Sequence, residues 1–342
     1  MGRAAIIYNP TSGSGVGEAA SIAAEGKLEQ EGWCVERIAT RDGSGATPIA
    51  RELADHVDLL VIAGGDGSIR EAIIGLGDSA DRVKLGLIPA GNANVTCREL
   101  GIPLDPDAAV GVLASGSPVP VDLGLLNGEP FLAMVGIGWD ALTVRYLDRL
   151  RRSKLGRLWY RAWADSAFAL AGLTAACHFR SPRFSLISNG RARDPRYCAA
   201  VLCNFRTYAR GWSMAPEAHF QSGRLHFQAR KRASPPFLAW QVAAAARCGK
   251  APRLISDYGA GDYLVVECEQ PLPVQVDGDF KGYFRRLELG VESAALQVLV
   301  PQARQAVLES ARIPRTSKLR VPVATTQSST AHVLPSRTPI RG

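Results

Sequence analysis

The stretch Leu59-Leu60-Val61-Ile62-Ala63-Gly64-Gly65-Asp66-Gly67-Ser68-Ile69-Arg70-Glu71-Ala72 leaves the chain few choices. An apolar run of mostly branched residues ends in two glycines, an aspartate and a third glycine, and then Ile69, Ile73 and Leu76 recur at helical spacing. This reads as strand, tight loop, helix. Without side chains at Gly64, Gly65 and Gly67, the backbone can come within touching distance of a ligand. Its amides, together with the unpaired N–H groups of the helix that follows, form a seat for phosphate. Asp66 would repel phosphate directly, and the natural intermediary between the two is a divalent cation such as Mg²⁺. The loop suits a metal-bound polyphosphate, although an ordinary Gly-Asp-Gly turn uses the same residues.

The flanking sequence repeats this grammar. Residues 4–8 form a buried-type strand, followed by Asn9-Pro10-Thr11-Ser12-Gly13-Ser14-Gly15 and a helix over 19–30. The third glycine of a dinucleotide fingerprint is missing there, because Glu18 occupies its place. Residues 35–39 read as a strand ending at Thr40, 47–56 as a helix, 84–88 as a strand, and Pro89-Ala90-Gly91-Asn92-Ala93-Asn94 as a loop opening a helix through Leu100. Alternating strands and helices predict a doubly wound α/β nucleotide-binding domain, with ligands at the carboxyl ends of parallel strands. The loops at 9–13, 64–68 and 91–94 would share that edge.

From Val121 onward the chain changes character. Short strand candidates at 121–124, 131–135, 183–188, 199–204, 225–229, 263–268, 274–276 and 296–300 lie between turn signals, which predicts a mostly antiparallel β-sandwich domain with inserted helices over 140–176 and 236–248. The domains are therefore expected at 1–121 and 122–300. A helical stub at 301–311 would complete the first, and the Pro/Ser/Thr/Arg-rich 312–342 would form a disordered tail.

At 342 residues and 46% hydrophobic content the chain can bury two cores. The longest apolar stretch, 162–179, is interrupted by Asp165 and His178, which argues against a membrane span. A strand beginning at residue 4 leaves no room for a leader, so a cytoplasmic location is expected. The seven cysteines form no Cys-x-x-Cys pair and read as buried thiols. Of the net charge of +8, residues 145–165 hold seven Lys and Arg against two Asp, and 301–342 hold seven against one Glu. Basicity so localised suits phosphates or anionic lipid. Over 145–163, Arg145, Arg149, Arg151, Arg152, Lys154, Arg157 and Arg161 alternate with Tyr146, Leu147, Leu150, Leu155, Leu158, Trp159 and Trp163. That pattern fits an interfacial helix at the inner membrane surface and equally a solvated surface helix. No nucleic-acid motif accompanies it.

Further pieces carry a resemblance. Gly91-Asn92-Ala93-Asn94 with Arg98-Glu99-Leu100-Gly101-Ile102-Pro103 resembles a signature of the diacylglycerol and sphingosine lipid kinases. Val135-Gly136-Ile137-Gly138-Trp139-Asp140-Ala141 is similar to their Gly-x-Gly-x-Asp-Ala turn, and Gln275-Val276-Asp277-Gly278-Asp279 to their Asp-Gly-Glu motif. With Asn9 to Gly13 and the glycine loop, the matches run in family order from residue 9 to 279. The resemblance implies an ATP- and Mg²⁺-dependent kinase with nucleotide in the interdomain cleft and a lipid hydroxyl as acceptor. It implies an ATP site of Asn9, Pro10, Thr11, Ser12, Gly13, Thr40, Gly64, Gly65, Asp66, Gly67, Ser68, Ile69, Arg70, Asn92 and Asn94, with Asp66 toward the metal. Asp279 would be the base, with Asp277 as its partner or rival. Ser222 stands at the aspartate of a segment that holds a structural magnesium in bacterial members, so that second site is expected to be absent. A kinase of a soluble substrate such as NAD, or a silent nucleotide- or lipid-binding protein, is the competing expectation, and a homodimer is among the assemblies allowed.

Overall fold

The computed structural model describes residues 2–10, 15–41, 45–180, 182–208, 212–231 and 256–310. Thr11, Ser12 and Gly13 of the first loop, the helix expected at 236–248 and the tail at 312–342 lie outside the described residues.

Four strands, β1 (Arg3–Tyr8), β2 (Cys34–Ala39), β3 (Leu59–Gly64) and β4 (Lys84–Pro89), pair in parallel in the order β4-β3-β1-β2. β3 is buried at every position, as a strand covered on both faces requires. The connections are α1 (Val16–Gln30), α2 (Thr47–Leu53) and α3 (Asp66–Leu76), and after β4 come α4 (Val95–Leu100) and α5 (Pro106–Ser115). The sequence reading had no helix at α5, yet its start is signalled by Pro106 in the first turn and by Asp105, whose carboxylate accepts the Ala108 N–H at 2.9 Å.

The rest of the chain supplies β5 (Ser117–Leu126), β6 (Glu129–Phe131) and β7 (Met134–Ile137), three helices α6 (Trp139–Arg152), α7 (Lys154–Ala162) and α8 (Ala164–His178), and then mainly strands. Those strands are β8 (Phe184–Ser188), β9 (Arg191–Tyr197), β10 (Ala199–Cys203), β11 (Thr207–Tyr208), β12 (Trp212–Ser213), β13 (Leu225–Arg230), β14 (Ser256–Gly261), β15 (Tyr263–Val276) and β16 (Asp279–Val300), before a final helix α9 (Gln302–Ser310). Among themselves these strands pair antiparallel. The pieces expected at 263–268 and 274–276 are one strand. Its ladder skips between Glu267 and Leu272, where Pro271 has no N–H to donate.

β16 joins the two halves. It pairs antiparallel with β15 and β5, and its end at Gln297 and Val298 runs parallel beside Lys84 and Leu85 of β4. The sheet is therefore continuous from β14 to β2. Two cores flank this seam. One gathers β1, β3, β4 and their helices and includes Leu308 of α9, and the other gathers Phe131, Val135, Phe184, Leu202, Phe227, Val274 and Leu289 of the antiparallel strands. Among the described residues no helix is long and apolar enough to cross a membrane.

Candidate active site

The carboxyl ends of β1, β3 and β4 lie side by side because each loop is pinned to the next. The Asn9 N–H donates to the Ala63 carbonyl at 3.3 Å, Thr40 N–H to Tyr8 at 2.9 Å and Ala90 N–H to Gly64 at 2.9 Å. The glycines then do separate jobs. A Cβ on Gly91 would fall 2.6 Å from the Gly65 Cα, so the loops after β3 and β4 cross backbone against backbone. A Cβ on Gly64 would fall 2.8 Å from that of Ser68. Gly67 has nothing within 4 Å of such a position, which leaves the first turn of α3 open to an incoming phosphate.

Asp66 faces α4. Its Oδ1 accepts the Thr96 N–H and hydroxyl, both at 2.9 Å, and its Oδ2 accepts the Val95 N–H at 3.0 Å. It thus caps a neighbouring helix and fastens the glycine loop to the Gly91 loop. Among the described residues one lone-pair direction on Oδ2 remains, enough for an outer contact with a hydrated cation. Behind it, burial and the Asp66 charge push the Cys97 thiol up to about 12.

Three of the expected ATP residues do other work. Asn94 adopts a left-handed conformation, φ 48°, and closes the loop by accepting the Gly91 N–H at 3.0 Å and donating to the Gly91 carbonyl at 2.9 Å. The Ile69 side chain is buried in the core. Arg70 is 6% exposed and points away from the loop, donating from Nε to the Pro130 carbonyl at 3.1 Å. Its helical position, two residues past Ser68, puts it on the sheet-facing side of α3. Asn92 stays exposed at the loop tip.

Arg70 reaches the second group of motif residues. β15 turns into β16 through Asp277 and Gly278, with φ of 50° and 89°, the positive pair that a two-residue hairpin of type I′ requires. The Asp277 carboxylate accepts the N–H groups of Leu132 at 2.8 Å, Ala133 at 2.8 Å and Met134 at 3.0 Å, and lies 3.9 Å from Arg70 Nε. Burial pushes its carboxyl up against the pull of these amides and of Arg70. Asp277 is therefore a tie between β7, the hairpin and α3, with both carboxylate oxygens engaged. Asp279 opens β16 and is exposed.

Beside the turn, Gln275 Oε1 accepts the Gly278 N–H at 2.8 Å and its Nε2 donates to Asp140 at 2.8 Å. A Cβ on Gly136 would fall 1.7 Å from that Asp140 oxygen, which is why this turn needs glycine.

Residues 3–126 match the model of the diacylglycerol kinase catalytic domain. The N-terminal α/β part of the chain is therefore similar to that catalytic domain. The chain is 28% identical over 288 residues to a diacylglycerol kinase of Bacillus subtilis strain 168, covering 82% of its own length and 91% of that protein. It is 37% identical over 137 residues to a diacylglycerol kinase of Staphylococcus saprophyticus, covering 40% of this chain and 45% of the other. Its fold is similar to that of a diacylglycerol kinase from Bacillus anthracis str. Sterne, with a TM-score of 0.65 at 17% identity over 88% of this chain and 97% of that one. These likenesses support a phosphotransferase with an alcohol group as acceptor.

Two buried residues that sequence reasoning missed tie together the strands around this site. Asn204, fully buried, donates its amide N–H groups to the Asp122 and Leu132 carbonyls at 2.8 Å each. Asp122, 2% exposed, accepts the Gly223 N–H at 2.7 Å and the Ala294 N–H at 2.9 Å. The neighbouring Ser222 hydroxyl donates to the Arg224 carbonyl at 3.1 Å. No local motif marks Asn204, because its partners are 82 and 72 residues away.

Proposed function

We propose that the kinase transfers the γ-phosphoryl group of ATP to the hydroxyl of a lipid, with a diacylglycerol-, sphingoid- or related lipid as acceptor. The observation that carries this reading is the tie through Arg70 and Asp277, which links the helix opening the glycine loop to the hairpin presenting Asp279. The amides at Gly65 to Gly67 would receive the phosphates, and Asn9, Thr40 and the exposed Asn92 would line the nucleotide. A lipid hydroxyl holds its proton strongly, so the exposed Asp279 would take it late in transfer as the oxygen attacks phosphorus. Mg²⁺, when bound, neutralises charge on the phosphate oxygens, with Asp66 on its outer side. An Asp at 279 is a methylene shorter than the family's Glu, and the acceptor must come correspondingly closer.

The reading divides the chain at about residue 121, with 301–311 returning to the first domain and the acceptor entering over 122–300. It also places the lipid at a bilayer surface on the cytoplasmic side. Leu155, Leu158, Trp159 and Trp163 are 82%, 66%, 37% and 69% exposed, and their spacing puts them on one face of α7 and its C-cap. Arg149, Arg152 and Lys154 are exposed alongside them. Apolar anchors among cations suit an anionic interface. The test is ATP turnover with Mg²⁺ on mixed micelles of diacylglycerol, ceramide, sphingoid base and phosphatidylglycerol, with NAD in a parallel arm. Lipid-dependent ADP release establishes the reading. Turnover of NAD alone, or ATP binding with no turnover, overturns it.

A further inference from the structure

A feature outside the motifs ties the candidate base to the helix that leads into the interfacial segment. Immediately after Asp279, the β15–β16 ladder slips. Gln275 pairs with Phe280 but Val274 pairs with Gly282, so Lys281 is an extra residue, and Gly282 has φ 121°. In an unbroken strand Phe280 and Tyr283 would point to opposite faces. The bulge shifts the phase by one residue and brings both rings to the same face. They meet edge to face with centroids 5.7 Å apart.

The group waiting on that face is Arg145 of α6. Its guanidinium carbon lies 5.4 Å from the Phe280 centroid and 5.5 Å from that of Tyr283, and Nη1 donates to the Tyr283 hydroxyl. A planar cation held over one ring and hydrogen-bonded at the edge of the other fixes both aromatic side chains relative to α6. One turn further along, Asp148 reports the same proximity. Burial pushes its carboxyl up, Arg151 pulls it back, and the charge of Asp279 pushes it up again. The base therefore lies within electrostatic reach of α6.

We propose that Arg145 is a positioning residue for phosphoryl transfer: by clamping Phe280 and Tyr283 to α6, it sets where Asp279 stands relative to the acceptor hydroxyl. The inference rests on the kinase reading above. It also makes the Asp279 hairpin responsive to α6, whose C-terminal turn runs through Ser153 into the exposed face of α7. Errors of about 1 Å in the placement of a reacting group cost on the order of 100-fold in rate. Nucleotide binding, built on the loops after β1, β3 and β4, should be indifferent to the clamp.

The experiment uses the full chain with Arg145→Ala, Arg145→Lys and Tyr283→Phe, and reads lipid-dependent turnover beside hydrogen exchange of residues 276–284. For Arg145→Ala the expected result is a fall in kcat of about 10- to 100-fold. The KM for ATP should stay within about twofold, Tm should hold, and exchange across the hairpin should be faster. Arg145→Lys keeps the cation over the rings and should recover part of kcat, and Tyr283→Phe should cost only a few-fold. Unchanged exchange across 276–284 in Arg145→Ala overturns the clamp, whatever the activity does. Faster exchange with unchanged kcat overturns its role in positioning the base. A failure of the unsubstituted chain to phosphorylate any lipid is a separate result: it overturns the kinase reading, and the exchange data still decide whether the clamp exists.

Discussion

Asp277 and Asp279 are two positions apart and occupy opposite environments. The Asp277 side chain is 5% exposed with three amides on its oxygens, whereas Asp279 is exposed. Their substitutions should therefore fail differently. Asp279→Asn keeps shape but cannot take a proton, so kcat should fall by roughly 100-fold or more with Tm unchanged, read in the lipid phosphorylation assay. Asp277→Ala strands the amides of Leu132, Ala133 and Met134, and should cost about 3 kcal/mol in a urea melt as well as activity. The cysteines give a third comparison. Cys34 and Cys177 are exposed, while burial pushes the thiols of Cys97, Cys198 and Cys203 up. A disulfide reagent at pH 8 should label the first two in the native protein and reach the last three only after denaturation.

The glycine loop and the Gly91 loop behave as one element, because Asp66 and the backbone crossing at Gly65 and Gly91 leave no space between them. Both sides of that crossing are main chain, and no rotamer change can relieve a new methyl. Gly91→Ala should push the loops apart, cost about 1–3 kcal/mol, and weaken ATP binding measured by calorimetry. That this region is a strand–loop–helix was legible from the apolar run and the glycines alone. That Asp66 turns toward α4 was not, because its partners are 29 and 30 residues away and nothing local signals them. Arg70 is a similar case: its place in the motif put it among the residues expected to line the ATP site, and nothing local announced its contacts with Pro130 and Asp277.

Across the whole molecule, pH and surface both test the architecture. His219 and His226 are lowered below 6.5, chiefly by burial, with Glu99 and Glu217 pulling the other way. His219 Nδ1 accepts the Gln221 N–H at 3.2 Å, a bond that requires the neutral ring nitrogen. A depressed folded-state pKa gives stability that is complete above the unfolded value and is lost as pH falls through the folded one. Tm should therefore fall as pH drops below about 6.5, and the pair His219→Gln and His226→Gln should flatten that drop. Anionic vesicles should blue-shift the emission of Trp159 and Trp163. Leu155→Asp with Leu158→Asp, or high salt, should abolish the shift.

The sequence by itself determined the parallel α/β half, the change to antiparallel strands and the order of the motifs, because those follow from periodicity and from residues within one turn or loop of each other. Only the tertiary structure decided that β16 welds the two halves into one sheet, that Asp277 is a tie and Asp279 an exposed carboxylate, and that Arg145 grips the hairpin. Each of these depends on partners more than a hundred positions apart, where contact is set by how the sheet folds back and by no local propensity.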